Sequence, residues 1–302
     1  MKYKIISINP GIDEFRYYES KSDAESDRNV IRIERKIGSK GANCALALAG
    51  RGEEVEYFTV GRGDYGCDSY LANDRIKIIR TVSRSGERVN VKLIYPDGGI
   101  NGMIEKNGNM SGLNDFEKAA FFASVTESAI SNSSDFSTYL FTGSLPPNVE
   151  KEEYLRCISH LSSLGRYVVL DGRGSLISAQ SENFASLIKP NRDEFHDLCR
   201  NVDILKSFQP PVDNSPDFYT EYLRAALRYV EKYGSAVLLT LGEAGLVYAS
   251  ESEQYIKKAI PIKLRYPAGS GDRLLSYFLY YKRSKGSTTE EALDRAMIEF
   301  KE

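Results

Sequence analysis

Thr138-Tyr139-Leu140-Phe141-Thr142-Gly143-Ser144-Leu145-Pro146-Pro147 is an apolar run stopped by a glycine and a pair of prolines. Such a run reads as a strand buried on both faces, and the turn that ends it offers a hydroxyl at Ser144 beside bare backbone at Gly143. The same unit recurs on either side. Residues 114–131 read as the helix before it and 151–164 as the helix after it, followed by strand 167–170, a short helix, strand 187–189 and helix 192–200. Helix and strand alternate, and the strands are near-continuous apolar runs, which is the pattern of a parallel sheet covered by helices on both faces. Further along, helix 218–233 leads to strand 236–241, and Gly242-Glu243-Ala244-Gly245 turns into strands 246–250 and 254–260. Toward the N-terminus, 2–9 and 55–61 are two more apolar strands, with a helix expected over 64–75.

A second region breaks this rhythm. Residues 12–18 and 30–37 read as strands joined through a charged segment with no helical crossover, and Arg88-Val89-Asn90-Val91-Lys92-Leu93 alternates polar with apolar before Pro96-Asp97-Gly98-Gly99 turns it into strand 100–106. Four such strands, within about 12–37 and 87–106, make a small sheet standing apart from the main one as a lid. Between its halves lies Gly38-Ser39-Lys40-Gly41-Ala42-Asn43. Its glycines allow close approach of a ligand to backbone, Lys40 supplies a cation, and Asn43 supplies a donor and an acceptor on a first helical turn. Under the lid, Arg88 and Lys92 can face a substrate phosphate; on a free edge they would be ordinary solvated cations.

Composition narrows the function classes. Lys plus Arg number 40 against 42 Asp plus Glu in 302 residues, which gives no ground for bulk nucleic-acid or membrane binding. Cys44, Cys67, Cys157 and Cys199 have no paired-ligand spacing, so neither a metal finger nor a disulfide framework is expected, and a reduced cytosol fits best. With only His160 and His196, each in a helix-like run, a histidine triad is a poor reading.

The strongest chemical signal is Tyr266-Pro267-Ala268-Gly269-Ser270-Gly271-Asp272-Arg273. Three small residues before a helix aim backbone N–H groups and the positive end of the helix dipole at one place, a cradle for an anion. Asp272 then stands beside the anion, where a carboxylate handles a proton or merely caps the helix. Asp13, at a strand exit, suits a sugar hydroxyl pair or a turn. Asn191 and Glu194, three apart, could hold a hydrated Mg²⁺ through waters or form a capping box.

Taken in order, Asn9-Pro10-Gly11-Ile12-Asp13, the Gly38–Asn43 loop, Arg88-Val89-Asn90-Val91-Lys92, Gly143-Ser144-Leu145-Pro146-Pro147, Lys189-Pro190-Asn191-Arg192-Asp193-Glu194, Leu241-Gly242-Glu243-Ala244-Gly245 and Gly269-Ser270-Gly271-Asp272 resemble the ribokinase-like, phosphofructokinase-B family of sugar kinases. The resemblance spans nearly the whole chain and is strongest to the 1-phosphofructokinase and tagatose-6-phosphate kinase branch. It implies a single α/β/α sandwich domain over 1–302, with a mainly parallel central sheet and a β lid that mediates a homodimer. It also implies ATP and Mg²⁺ as cofactors, a sugar phosphate as partner, no nucleic acid or membrane, and a cytoplasmic enzyme. By the same resemblance Asp272 is the base and Gly269, Ser270 and Gly271 stabilise the migrating phosphoryl group. Asp13, Gly38 and Asn43 hold sugar hydroxyls, while Lys40, Arg88, Lys92 and Ser144 bind the substrate's own phosphate. Lys189, Asn191, Glu194, Thr240 and Gly242 serve the nucleotide and Mg²⁺. The acceptor so implied is fructose 1-phosphate or tagatose 6-phosphate. The alternatives are a relative that binds a sugar phosphate without turnover, and a kinase of an unphosphorylated sugar or nucleoside. Ser39, Pro267 and Ser270 depart from the family pattern, and Arg273, where relatives carry a small residue, is expected to depress the pKa of Asp272. Relatives also carry a small-residue stretch against adenine near their ends that has no counterpart here, so the adenine contacts are expected to differ.

Overall fold

The computed structural model describes residues 2–62, 66–84, 88–97, 100–106, 108, 112–130, 137–172, 184–259 and 269–300. The first half of the chain runs β1 (Lys2–Ser7), β2 (Gly11–Tyr17), α1 (Lys21–Ser26), β3 (Arg32–Ile37), α2 (Lys40–Gly50), β4 (Glu54–Gly61), β5 (Ile76–Val82), β6 (Arg88–Asp97), β7 (Ile100–Lys106) and α3 (Asp115–Ile130). The second half runs β8 (Thr138–Gly143), α4 (Lys151–Ser163), β9 (Tyr167–Gly172), β10 (Leu187–Ile188), α5 (Arg192–Asn201), α6 (Phe218–Tyr233), β11 (Ala236–Thr240), β12 (Gly245–Ala249), β13 (Gln254–Lys258), α7 (Ser270–Leu279) and α8 (Thr289–Glu299).

Nine described strands form one sheet in the order β13-β12-β11-β10-β9-β8-β1-β4-β5. Every neighbouring pair is parallel except β11 with β12 and β12 with β13. Successive side chains on a strand point to opposite faces, so a strand covered on both sides must be apolar throughout. β8 shows how: Tyr139 and Phe141 enter one buried cluster with Phe121 and Val125 of α3 and Tyr154 and Ile158 of α4. Leu140 between them enters the other cluster, with Ala45 and Leu48 of α2 and Leu275 and Phe278 of α7. Helices α3 to α6 thus cover one face and α2, α7 and α8 the other, giving the three layers that the alternation predicts. Each large apolar side chain so buried contributes about 1.5–3 kcal/mol.

The second sheet has the order β3-β2-β6-β7, with β2 and β6 parallel and the other pairs antiparallel. Its back packs Leu93 and Tyr95 against Tyr18 and against Ala24 of α1. That six-residue helix occupies part of the segment read as a plain connection. Its start is fixed by Ser20, whose hydroxyl accepts from Asp23 N at 3.1 Å.

The helix expected over 64–75 is a correction. A 3₁₀ turn spans Gly66–Leu71, residues 63–65 lie outside those described, and the chain then enters an unexpected edge strand, β5. Asp68, Asn73 and Asp74 favour turns over helix, while Ile76, Ile78, Ile79, Thr81 and Val82 are β-branched. No described helix is long and apolar enough to cross a membrane. Cys44, Cys157 and Cys199 are buried and unbridged.

Candidate active site

The starts of α2 and α7 meet beneath the second sheet. Gly269 sits at φ +79°, the left-handed conformation glycine adopts without strain, and a Cβ there would lie 3.0 Å from Asn43 Nδ2. Ser270, Gly271 and Asp272 are the first three residues of α7, whose N–H groups have no partner within the helix. The part of the anion turn before Gly269, with Pro267 and Ala268, lies outside the described residues. Asp272 is not the cap of the helix, a place Gly269 holds; its Oδ2 accepts from Asn43 Nδ2 at 2.8 Å. It is 5% exposed. Burial and the neighbouring Asp171 carboxylate push its pKa up to about 6, against the opposing pull of Lys40, the Asn43 hydrogen bond and Lys189. The expected depression by Arg273 is not seen: the net shift is upward, and Arg273 is not among the largest influences on it. Adjacent side chains on a helix point away from each other. Cys44 of α2 is fully buried with its Sγ 3.6 Å from Asp272 O, and burial raises its thiol pKa well above the usual value.

Beside Asp272 lies a cluster that the sequence reading did not contain. Asp171, at the end of β9, is 0% exposed, and its Oδ1 receives Lys40 Nζ at 2.9 Å and Lys189 Nζ at 3.2 Å. Burial alone would raise the Asp171 pKa, but the two ammonium groups and their hydrogen bonds outweigh it and hold the carboxyl below its usual range. Lys40 also lies 3.6 Å from Glu194 Oε1. Burial works against its charge, and Asp171, Glu194 and Asp272 more than compensate, so its pKa is raised. Lys40 was expected with Arg88 and Lys92 at the acceptor's phosphate. Its ammonium pairs with the buried Asp171, a carboxylate that is costly unless paired, while Lys40 also lines the cavity. Lys189 also reaches the anion turn, 3.6 Å from where a Cβ on Gly271 would stand.

The opposite wall is the front of the second sheet. Asp13 accepts from Asn90 Nδ2 at 2.9 Å and from Lys92 Nζ at 2.7 Å. Gly38 packs so closely that a Cβ on it would fall 2.4 Å from Asp13 Oδ1. Asp13, Gly38, Asn90, Lys92 and Glu105 line one cavity with Lys40, Asn43, Lys189, Gly269, Ser270, Gly271 and Asp272; its volume is about 830 Å³. Arg88 and Ser144 lie outside its lining. Both gather at the exit of β1, Arg88 against the carbonyls of Pro10 (3.5 Å) and Gly38 (3.4 Å), and Ser144 Oγ accepting from Asn9 Nδ2 at 2.9 Å. Asn90, Glu105 and Asp171 went unassigned in the sequence. Asn90 sat in plain view between the two cations, whereas Asp171 falls in the last two residues of β9, beyond the point where that strand was read to end.

The third wall is formed by strand exits and α8. Asn191 and Thr240 pair in a parallel bridge, and with Leu241 and Gly242 they line the cavity. Asn191 and Glu194 form the capping box: Asn191 Oδ1 accepts from Glu194 N at 2.8 Å, and Glu194 Oε2 accepts from Asn191 N at 2.9 Å. That leaves Glu194 Oε1 facing Lys40. Leu246, Ala259, Leu274, Met297 and Phe300 give this end an apolar surface. Met297 and Phe300, from α8 and just beyond it, had not been singled out.

A buried carboxylate with a raised pKa, helix N–H groups beside it, two lysines behind and polar side chains opposite form a site suited to moving a phosphoryl group onto an alcohol. The comparisons agree. The chain matches the pfkB family carbohydrate kinase model over residues 6–297. Among solved structures it is similar to the tetrameric inhibited form of phosphofructokinase-2 from Escherichia coli, at 20% identity and a TM-score of 0.82, covering 99% of this chain and 92% of that one. The same enzyme in complex with fructose-6-phosphate gives 19%, 0.81, 99% and 92%. A possible 1-phosphofructokinase from Thermotoga maritima gives 16% and 0.75, covering 100% of this chain and 91% of that one. The chain belongs to the pfkB family of carbohydrate kinases.

Proposed function

We propose that this kinase transfers the terminal phosphoryl group of ATP to a hydroxyl of a hexose phosphate, fructose 1-phosphate or tagatose 6-phosphate, and releases ADP and a hexose bisphosphate. Asp272 carries the reading. Its pKa of about 6 leaves it ionised near neutral pH yet basic enough to take the acceptor's proton. As that proton moves to Asp272, the acceptor oxygen bonds to the γ-phosphorus and the bond to the β-phosphate oxygen breaks. The backbone N–H groups of Ser270 and Gly271 and the ammonium of Lys189 stabilise the charge on the migrating group.

Asp13, Gly38 and Asn43 hold the sugar hydroxyls, and Lys92, with Arg88 and Ser144 beyond the cavity wall, serves the acceptor's phosphate. Asn191, Thr240 and Gly242 serve the nucleotide, whose base rests on the apolar surface of Leu246, Met297 and Phe300. The donor set suits Mg²⁺, a hard cation: Glu194 Oε1 lies off the capping box, and Asp171 Oδ2 is buried without a hydrogen-bond partner. Bound there directly or through water, Mg²⁺ would neutralise phosphate charge.

The second sheet, within about 12–37 and 87–106, acts as the lid, and its edge suits a homodimer. Ile33 on β3 and Met103 on β7, its two edge strands, are each 54% exposed, and Ile31 just before β3 is 59% exposed. Free buried cysteines fit a cytoplasmic protein. The test is ADP release with fructose 1-phosphate, tagatose 6-phosphate, fructose 6-phosphate and ribose, comparing wild type with Asp272→Asn. Turnover of a hexose phosphate that the substitution removes supports the reading. Turnover of ribose alone overturns the acceptor, and binding without turnover in wild type overturns catalysis.

A further inference from the structure

Resting on the reading of the acceptor as a hexose phosphate, we propose that Glu105 is a specificity-determining residue, which accepts a hydrogen bond from a hydroxyl of the acceptor and keeps phosphate away from the β7 side of the cavity. Strand register aims its side chain. Glu105 stands opposite Lys92 on β6, and Lys92 lies two residues from Asn90, which stands opposite Asp13 on β2. Side chains opposite each other, or two apart on one strand, share a face, so all four project from the same side of the second sheet. All four line the cavity. The neighbours of Glu105 in the chain belong to the other face: Ile104 packs with Leu93, Tyr95 and Tyr18, and Lys106 lies 3.9 Å from Asp27.

The bonding on this wall leaves Glu105 to the ligand. Asp13 Oδ1 accepts from Asn90 at 2.9 Å and its Oδ2 from Lys92 at 2.7 Å, and Asp272 on the deep wall accepts from Asn43 at 2.8 Å. Lys92 pairs with Asp13, although Glu105 is its neighbour across the strands. The Glu105 carboxylate has no hydrogen bond or ion pair with the described residues, and the residue is exposed. A carboxylate accepts hydrogen bonds and donates none, so its partner in a sugar phosphate is a hydroxyl. The charges agree. Among the lid residues that line the cavity, the carboxylates of Asp13 and Glu105 stand against the ammonium of Lys92. A phosphate at Glu105 finds no donor on it and a like charge beside it, which disfavours any acceptor that puts its anionic group there. Two strand spacings, about 10 Å, separate β2 from β7, so Asp13 and Glu105 can hold one sugar from two sides.

The test uses the full chain and the variants Glu105→Ala and Glu105→Gln, with steady-state kinetics on whichever hexose phosphate is turned over and calorimetric binding of fructose 1-phosphate and tagatose 6-phosphate. For Glu105→Ala, KM and Kd for the hexose phosphate should rise about tenfold, the loss expected for a charged hydrogen bond, with kcat within about twofold and KM for ATP unchanged. Glu105→Gln, whose carbonyl still accepts, should restore most of that loss. Both variants remove the like charge, so inorganic phosphate competing with the sugar should inhibit each of them more strongly than wild type, by about threefold or more. The side chain has no partner to lose, so the melting temperature should stay that of wild type, which separates lost binding from lost folding. A hexose-phosphate KM for Glu105→Ala within about twofold of wild type overturns the assignment while leaving the kinase reading intact, as does a parallel rise in KM for ATP. Phosphate inhibition as weak in both variants as in wild type overturns the exclusion of phosphate. Wild type that neither binds nor turns over a hexose phosphate overturns both the assignment and the reading it rests on.

Discussion

The two walls of the cavity are built on different principles. The deep wall, at the starts of α2 and α7 and the end of β9, sets buried charges against one another: Asp171 holds two lysines, Asp272 is pushed toward its neutral form, and Asn43 fixes its orientation. The lid wall holds the Lys92–Asp13 pair and carries exposed apolar residues on its two edge strands, Ile33 on β3 and Met103 on β7. A preorganised, desolvated cluster of charges strengthens every electrostatic interaction within it, which suits chemistry; polar side chains presented on the face of a separate small sheet suit recognition. Substitutions on the deep wall should therefore change kcat or stability, and those on the lid KM or assembly.

The largest effect expected is from Asp272→Asn, a loss of at least about a hundredfold in kcat, as when a positioned general base is removed. Single-turnover rates check it, and an unchanged rate would dissolve the distinction between the walls. Asp171→Asn leaves Lys40 and Lys189 facing each other without their carboxylate, and should cost about 3–5 kcal/mol of stability, read from denaturant unfolding. On the lid, Asp13→Ala should raise the acceptor KM about tenfold or more with a smaller change in kcat, since it removes a binding contact.

The pH dependence separates the walls without mutation. kcat/KM should fall as pH drops through about 6, where Asp272 takes up its proton, rather than near the usual carboxylate value. The sign for stability is opposite to that of a paired carboxylate. The native state holds this proton up to about pH 6 while the unfolded chain releases it near 4, so Asp272 lowers stability as pH rises through that window. Asp272→Asn should flatten that part of the profile. The smallest expected effect is from Ile33→Glu, which should weaken self-association in sedimentation experiments and leave the monomer's melting temperature within a few degrees.

Alternation of apolar strands with helices made the large sheet legible, since two-sided burial writes itself into every residue of β8 and β11. β5 was lost because its turn-rich approach resembles a helix start, and α1 because six residues carry too little periodicity. In the site, Asp272, Asn43, Asp13 and Lys189 stood out because small residues or strand exits surround them. Asp171 did not: its strand was read as ending at Leu170. Missing it also hid the ion pair of Lys40 with a carboxylate 131 positions away, which no local pattern around Gly38–Asn43 reveals. The expectation for Arg273 failed because burial and the distant Asp171 carboxylate, neither of them visible in the local sequence, decide the direction of the Asp272 shift.

The thiol of Cys44, wedged between α2 and the carbonyl of Asp272, gives the molecule an internal clock. An alkylating reagent can reach that sulfur only during the moments when the two helices part, so its labelling rate reports how often the deep wall opens. Ligands that clamp the helices together should slow that labelling in proportion to their occupancy, and ligands that touch only the lid should leave it unchanged.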